Sequence, residues 1–272
     1  MKNTTLSRDA AGIEMWSPLR VIDFENAWYE AADADHFWMD WRLKELTRLF
    51  EQCGLSPAAD LRVLEVGGGH GVARAQVEGV TRWHVDLTDL NMVSLERCAP
   101  SRGRTLYYDV NDMTPSLHER YDAILLLDVL EHIEQTATFL RSLAWHLKPG
   151  GVLIINVPAL PWFYSAYDEV LGHHRRYTKT LLRQECAAAE LRCEAVRFWG
   201  FTLLPLLAAR VVLMRRLPRD PLKRSDIARR GMTPPNAFVG WILRVFMLSE
   251  LWVGRDAPLG TSLLCAARKR LS

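Results

Sequence analysis

The chain has 272 residues, 49% of them hydrophobic, which suits one substantial core with additions. Its net charge of +2 excludes a dedicated nucleic-acid binder, which would carry a global basic excess. Five cysteines (Cys53, Cys98, Cys186, Cys193 and Cys265) are odd in number and hold no C-x-x-C pair, so reduced thiols of a cytoplasmic protein are expected, with neither a disulfide framework nor a metal site.

Residues 1–24 lack periodicity and a basic-then-apolar leader, and are expected to form a loosely docked N-terminal arm. Within 25–54, Trp28, Phe37, Trp38, Trp41, Leu43, Leu46, Leu49 and Phe50 recur at spacings of three and four, predicting helix with a thick apolar face. Val63, Leu64 and Val66 then suit a strand buried on both faces. The run carries Glu65 and opens into Gly67-Gly68-Gly69-His70-Gly71, where the absence of Cβ atoms lets the backbone turn sharply and approach a ligand. A helix beginning at Val72 would point its free N–H groups at that ligand. This is a nucleotide-type pocket, but Val72 replaces the small residue of a dinucleotide fingerprint, and His70-Gly71-Val72 is not the Gly-Lys-Ser/Thr of a phosphate loop.

A second strand over 82–88 leads to two competing acids, Asp86 and Asp89; a carboxylate there can accept both ribose hydroxyls of a nucleoside. A third strand, 105–108, runs into Asp109, which could equally be a turn acid. The fourth, 121–127, ends in Asp128-Val129-Leu130-Glu131-His132, and ligands of open α/β sheets lie beyond such carboxyl ends. A helix over 134–147 and Leu147-Lys148-Pro149-Gly150-Gly151 precede a fifth strand, 152–157.

Glu65, Gly67, Gly69 and Gly71 resemble motif I, E/D-x-G-x-G-x-G, of the class I S-adenosylmethionine-dependent methyltransferases. His36-Phe37-Trp38-Met39-Asp40-Trp41-Arg42 resembles the H-F/W-W-x-x-x-R element that helps roof their cofactor site, and the D-V-L-E-H and L-K-P-G-G strings are also family strings. Asp89-Leu90-Asn91 with Leu95 is similar to their D-L-S-x-x-x-L, which favours Asp89 over Asp86. The resemblance implies S-adenosylmethionine as cofactor, Asp109 receiving the adenine amino group, and Asp128 beside the transferable methyl group. It also implies an α/β, Rossmann-like seven-stranded sheet in order 3-2-1-4-5-7-6, the last strand antiparallel, with helices on both faces. The remaining strands would be 193–198 and 261–267, so that 25–199 and 260–272 form the core.

The segment from Val157 to Thr178 resembles the V-P-A…S-x-x-D…G-H-x-R-R-Y-T stretch of a bacterial methyltransferase subgroup associated with glycan and lipid biosynthesis. Methyl transfer needs alignment of nucleophile, methyl and sulfur, and often removal of a proton. His173 and His174 are the base candidates, with Asp168 to orient one of them and Tyr177 to hydrogen-bond the acceptor. Arg175 and Arg176 could hold an anionic group. The plainer alternative is that one His and one Arg brace the loop while their neighbours face water, since adjacent residues of an extended segment point to opposite sides. No metal is expected, because adjacent histidines lack the i, i+4 spacing of helical ligands.

Residues 200–259 form a predicted helical insertion or lid: one apolar stretch interrupted by Pro205 and Arg210, then Arg215, Arg216, Arg219, Lys223, Arg224, Arg229 and Arg230, then a second apolar helix. A membrane span is not expected, but peripheral contact with a membrane surface or a homodimer contact is. The sequence thus predicts a methyltransferase acting on a small or lipid-linked, amphipathic acceptor. Two rivals stand beside it: action on a soluble natural product or quinone-like metabolite, and a non-catalytic cofactor-binding partner protein.

Overall fold

Among the described residues, short runs of Val, Leu and Ile form most of one nine-stranded sheet. The structure, a computed structural model, describes residues 7–8, 12–20, 37–216, 237–253 and 257–271. The strands are β1 Ser7–Arg8, β2 Glu14–Met15, β3 Arg62–Val66, β4 His84–Asp89, β5 Thr105–Tyr107, β6 Tyr121–Leu127, β7 Leu147–Pro158, β8 Leu191–Trp199 and β9 Ser262–Lys269. Their spatial order is β1-β2-β5-β4-β3-β6-β7-β9-β8. From β3 onward this is the predicted 3-2-1-4-5-7-6 order, with β9 antiparallel to both β7 and β8.

The N-terminal segment departs from the loosely docked arm the sequence suggests. Glu14 and Met15 pair in parallel with Leu106 and Tyr107, and Ile13 is buried beside Leu87, Leu95 and Tyr107. The physical reason is the open edge of β5, whose unpaired backbone groups gain partners from the added strand: the N–H groups of Trp16 and Ser17 also donate to the Tyr107 carbonyl.

Among the described residues the α-helices are α1 Phe37–Gln52, α2 Val72–Val80, α3 Met92–Leu95, α4 Thr136–His146, α5 Ala166–Val170, α6 Lys179–Ala188, α7 Leu204–Arg216 and α8 Ala237–Val253. Alternation along the strands feeds two cores. Leu64, Val66, Ile124 and Leu126 face Leu140 and Leu143 of α4 and Leu182 of α6. Val63, Ala123, Leu125 and Ile154 face Trp41 and Leu49 of α1, Val77 of α2, and Leu243 and Met247 of α8. The insertion is tied down at its base, where the Glu250 carboxylate accepts the backbone N–H groups of Gly200 at 2.7 Å and Thr202 at 3.0 Å. Among the described residues no helix is long and apolar enough to cross a membrane. All five cysteines are free thiols.

Candidate active site

Parallel strands deliver their carboxyl ends to one edge of the sheet, and there a cavity of about 720 Å³ opens. The turn after β3 forms its floor. A Cβ on Gly67, whose φ is +70°, would come within 2.6 Å of a Val129 methyl, and one on Gly68 within 2.6 Å of Leu87 and 2.9 Å of the Glu65 carboxyl. Only glycine therefore lets the loop sit this close to the ends of β4 and β6.

Two carboxylates face the cavity from this side. Asp89, at the end of β4, accepts the Gly69 N–H on Oδ2 and the Asn91 N–H on Oδ1, both at 2.8 Å. Burial raises its carboxyl above the usual range and these backbone donors hold it back, while each oxygen keeps lone-pair capacity for a ligand. Glu65 is buried, and its Oε2 has no hydrogen-bond partner. Burial pushes its carboxyl up to about 7, against the pull of Arg42 and Arg74.

Asp109 and Asp128 also line the cavity, both already engaged. Asp109 accepts from Asn111 N–H at 2.9 Å and forms an ion pair with Arg20, contributed by the N-terminal segment. Asp128 stands at φ +58° and receives Arg42 Nη1 at 2.7 Å and Asn156 Nδ2 at 2.6 Å. Arg42 comes from α1, whose Phe37, Trp38 and Met39 roof the same cavity.

The acceptor side is built by the segment after β7. Ser165 caps α5, and Asp168 returns the bond by accepting the Ser165 N–H on Oδ2 at 2.9 Å. Its other oxygen, Oδ1, receives Arg176 Nε at 2.7 Å and His173 Nδ1 at 3.2 Å. Burial would raise this carboxyl, but the hydrogen bonds and charges of His173 and Arg176 hold it below the ordinary value. The His173 backbone is clamped as well: its N–H donates to Asp168 O at 2.9 Å and its carbonyl accepts from Tyr164 OH at 2.7 Å.

Against His173 lie His132, its ring 4.8 Å away and perpendicular, and Glu131, with Oε1 3.9 Å from His173 Nε2. Burial takes His132 down to about 4, helped by the two neighbouring histidines. Glu131 is buried with Oε2 unpartnered, and burial reinforced by Asp128 drives its carboxyl well above the usual range. Ligand atoms of Glu131, His132 and His173 lie within 4.8 Å of one another, a spacing a divalent cation can span. Arg210 of α7 also faces the cavity, its guanidinium 3.8 Å over the Tyr167 ring.

Several predicted site residues stand elsewhere. Asp86 does not line the cavity: it accepts from Arg104 N–H at 2.8 Å and Tyr121 OH at 3.0 Å, a structural polar cluster, because three positions along a strand place it on the other face from Asp89. Gly69 reaches the cavity only by holding Asp89, and Gly71 shapes the entry into α2 beside Arg74 and Cys98. His174 is exposed and contributes only its N–H, to Glu131 O at 2.8 Å. Tyr177 is wholly buried, its hydroxyl donating to Leu130 O at 3.3 Å, so it supports the floor and does not meet a ligand. Arg175 is drawn away to Glu185 and the Glu134 carbonyl. His36 and the cations Arg219, Lys223, Arg224, Arg229 and Arg230 lie outside the described residues, as do the side chains of Arg215 and Arg216.

Arg20, Glu131, His132 and Arg210 take places at the site that no motif assigns to them individually. Glu131 and His132 belong to the D-V-L-E-H string and Arg210 is a lone cation in an apolar stretch, whereas Arg20 carries no local sequence signal.

A family model described as a methyltransferase domain matches residues 40–196. A curated relative, the ubiquinone biosynthesis O-methyltransferase of Caulobacter sp. (strain K31), is 30% identical over 107 residues, 38% of this chain and 42% of that protein. The match thus spans about two fifths of the relative's own length. Among solved structures, an S-adenosylmethionine-dependent methyltransferase from Mesorhizobium loti shares the fold with a TM-score of 0.52 at 15% identity, over 80% of this chain and 95% of that one. Phosphoethanolamine N-methyltransferase 2 of Haemonchus contortus, in complex with S-adenosyl-L-methionine, does so with a TM-score of 0.51 at 16% identity, over 84% and 52%.

Proposed function

The chain belongs to the methyltransferase-domain family, and from that premise we propose that it moves a methyl group from S-adenosylmethionine to a hydroxyl oxygen of an amphipathic, quinone-like or lipid-linked acceptor at a membrane surface. One observation carries the reading: Glu65 and Asp89 on one side and His173 on the other line the same cavity.

The residues present fit the cofactor. Asp89 has acceptor capacity for ribose hydroxyls, and the unpartnered Glu65 Oε2 suits a cationic group such as an amino acid's ammonium. Bound S-adenosylmethionine supplies an electrophilic methyl group on a sulfonium. The chain's own work is to align the nucleophile and take its proton. His173 donates through Nδ1 to Asp168, which leaves Nε2 to accept the hydroxyl proton, and the Asp168 carboxylate then stabilises the imidazolium. His132, held near 4, is too weak a base for that step at neutral pH. Apolar side chains at Ile133, Leu171, Leu203 and Leu207 give a ring or hydrocarbon tail somewhere to lie. The name of the Caulobacter relative supports oxygen as the methylated atom and a quinone-like acceptor.

Incubation with S-adenosylmethionine labelled in the methyl group and with lipid and aqueous cell extracts tests this. Label should enter the organic phase and be lost with His173→Ala. Label confined to the aqueous phase would transfer the assignment to a soluble metabolite, and cofactor binding with no labelled product would favour a non-catalytic partner protein.

A further inference from the structure

Helix α8 is apolar on two opposite sides, and only one is covered. At about 100° per residue, Val239, Leu243 and Met247 fall in one stripe, which packs with Trp199 and Leu203. Phe238, Trp241, Val245 and Leu248 fall in a second stripe about 180° away, and all four are exposed. Phe238 is 67% and Trp241 61% exposed, their rings stacked at 6.2 Å. A contiguous exposed stripe of large apolar side chains marks an interaction surface.

A second set of exposed apolar side chains stands on α7, at the cavity itself. Leu206 and Leu213, two turns apart, are 56% and 52% exposed, yet both also line the cavity. The turn Pro161–Phe163 packs against α7 and adds the exposed Trp162. Between α7 and α8 the chain carries Arg219, Lys223, Arg224, Arg229 and Arg230 against only Asp220 and Asp226. Exposed tryptophans suit the boundary between headgroups and acyl chains, and a connecting segment whose sequence has an excess of cations complements an anionic surface.

We propose that α7 and α8 seat the protein on an anionic lipid bilayer, so that the cavity opens past Leu206 and Leu213 toward the membrane and draws its acceptor from the bilayer plane. The acceptor's route rests on the methyl-transfer reading above; the docking itself does not.

The 272-residue chain is to be co-sedimented with vesicles of phosphatidylcholine, with and without phosphatidylserine, across ionic strength. Wild type should bind the anionic vesicles and release as salt rises. Phe238→Ser with Trp241→Ser should weaken partition about tenfold or more, since the side chains removed are apolar and already exposed. Arg219→Gln, Lys223→Gln and Arg224→Gln should each cost about fivefold. Calorimetry should give unchanged S-adenosylmethionine affinity throughout. The proposal is overturned if wild type ignores vesicles at every ionic strength, or if the double serine variant binds as wild type does. It is also overturned if sedimentation velocity shows a dimer that this variant dissociates while vesicles are ignored. Vesicle binding without cofactor binding would leave the docking standing and remove the methyl-transfer reading.

Discussion

His173 Nδ1 and Asp168 Oδ1 meet at 3.2 Å in the cavity wall, and the same carboxylate oxygen also holds Arg176 Nε at 2.7 Å. The imidazole is thereby fixed in one tautomer with Nε2 left without a proton, 3.9 Å from Glu131 Oε1, and the carboxylate stays ionised to support a positive ring.

His173→Ala should lower turnover by roughly a hundredfold or more while leaving cofactor affinity unchanged. His174→Ala should stay within about twofold of wild type, because that side chain is exposed and outside the cavity. Steady-state rates with the labelled acceptor, beside calorimetry, separate the two; full turnover in the His173 variant would place the base elsewhere.

Asp89→Ala should weaken S-adenosylmethionine binding by about ten- to a hundredfold, since a charge-assisted hydrogen bond contributes roughly 1.5 to 3 kcal/mol. Asp86→Ala should leave the affinity intact and lower stability by about 2 to 3 kcal/mol, because Arg104 and Tyr121 lose their shared partner. Isothermal calorimetry and urea midpoints read the two effects apart, and the reverse pattern would exchange the roles.

Glu65 should make the ligand-free protein less stable as pH rises. In the unfolded chain it ionises near 4.5, whereas the native carboxyl keeps its proton to about 7, so between these values the native state binds more protons. The loss across that window is about 3 kcal/mol, and Glu65→Gln should remove it from urea midpoints measured against pH. A cationic ligand group at Oε2 favours the ionised form, so cofactor binding near pH 6 should release up to about one proton. Calorimetry in buffers of different ionisation enthalpy would detect it; no proton release would separate Glu65 from the bound cation.

His146 works in the opposite direction. It is buried, with Nδ1 2.7 Å from the Ser142 carbonyl and Nε2 2.9 Å from Tyr108 OH, and burial takes it down to about 4. The unfolded chain protonates near 6.5, so stability present above that pH is lost as pH falls toward 4, by about 3 kcal/mol in total. His146→Gln should remove about half of this acid limb of the midpoint-against-pH curve, since His132, also held near 4, contributes a similar share; an unchanged limb would assign it to other groups.

The sequence by itself determined the seven-strand core, because buried parallel strands must be runs of apolar residues and their crossovers must be helices, and both are written locally. It also determined the glycine turn at Gly67 and Gly68, where only a residue without Cβ fits between Val129 and Leu87. The tertiary structure decided between acids and between bases. Asp86 and Asp89 lie an odd number of residues apart and so on opposite faces of β4, but which face meets the ligand depends on Arg104, just before β5, and Tyr121, at the start of β6. His173 and His174 likewise point apart, and the choice is made by Asp168, held by its capping box and by Arg176. Arg20 and Arg42 reach Asp109 and Asp128 across 89 and 86 positions of sequence. No local pattern encodes such pairs, because their charge and burial exist only once the N-terminal segment and α1 have packed against the sheet.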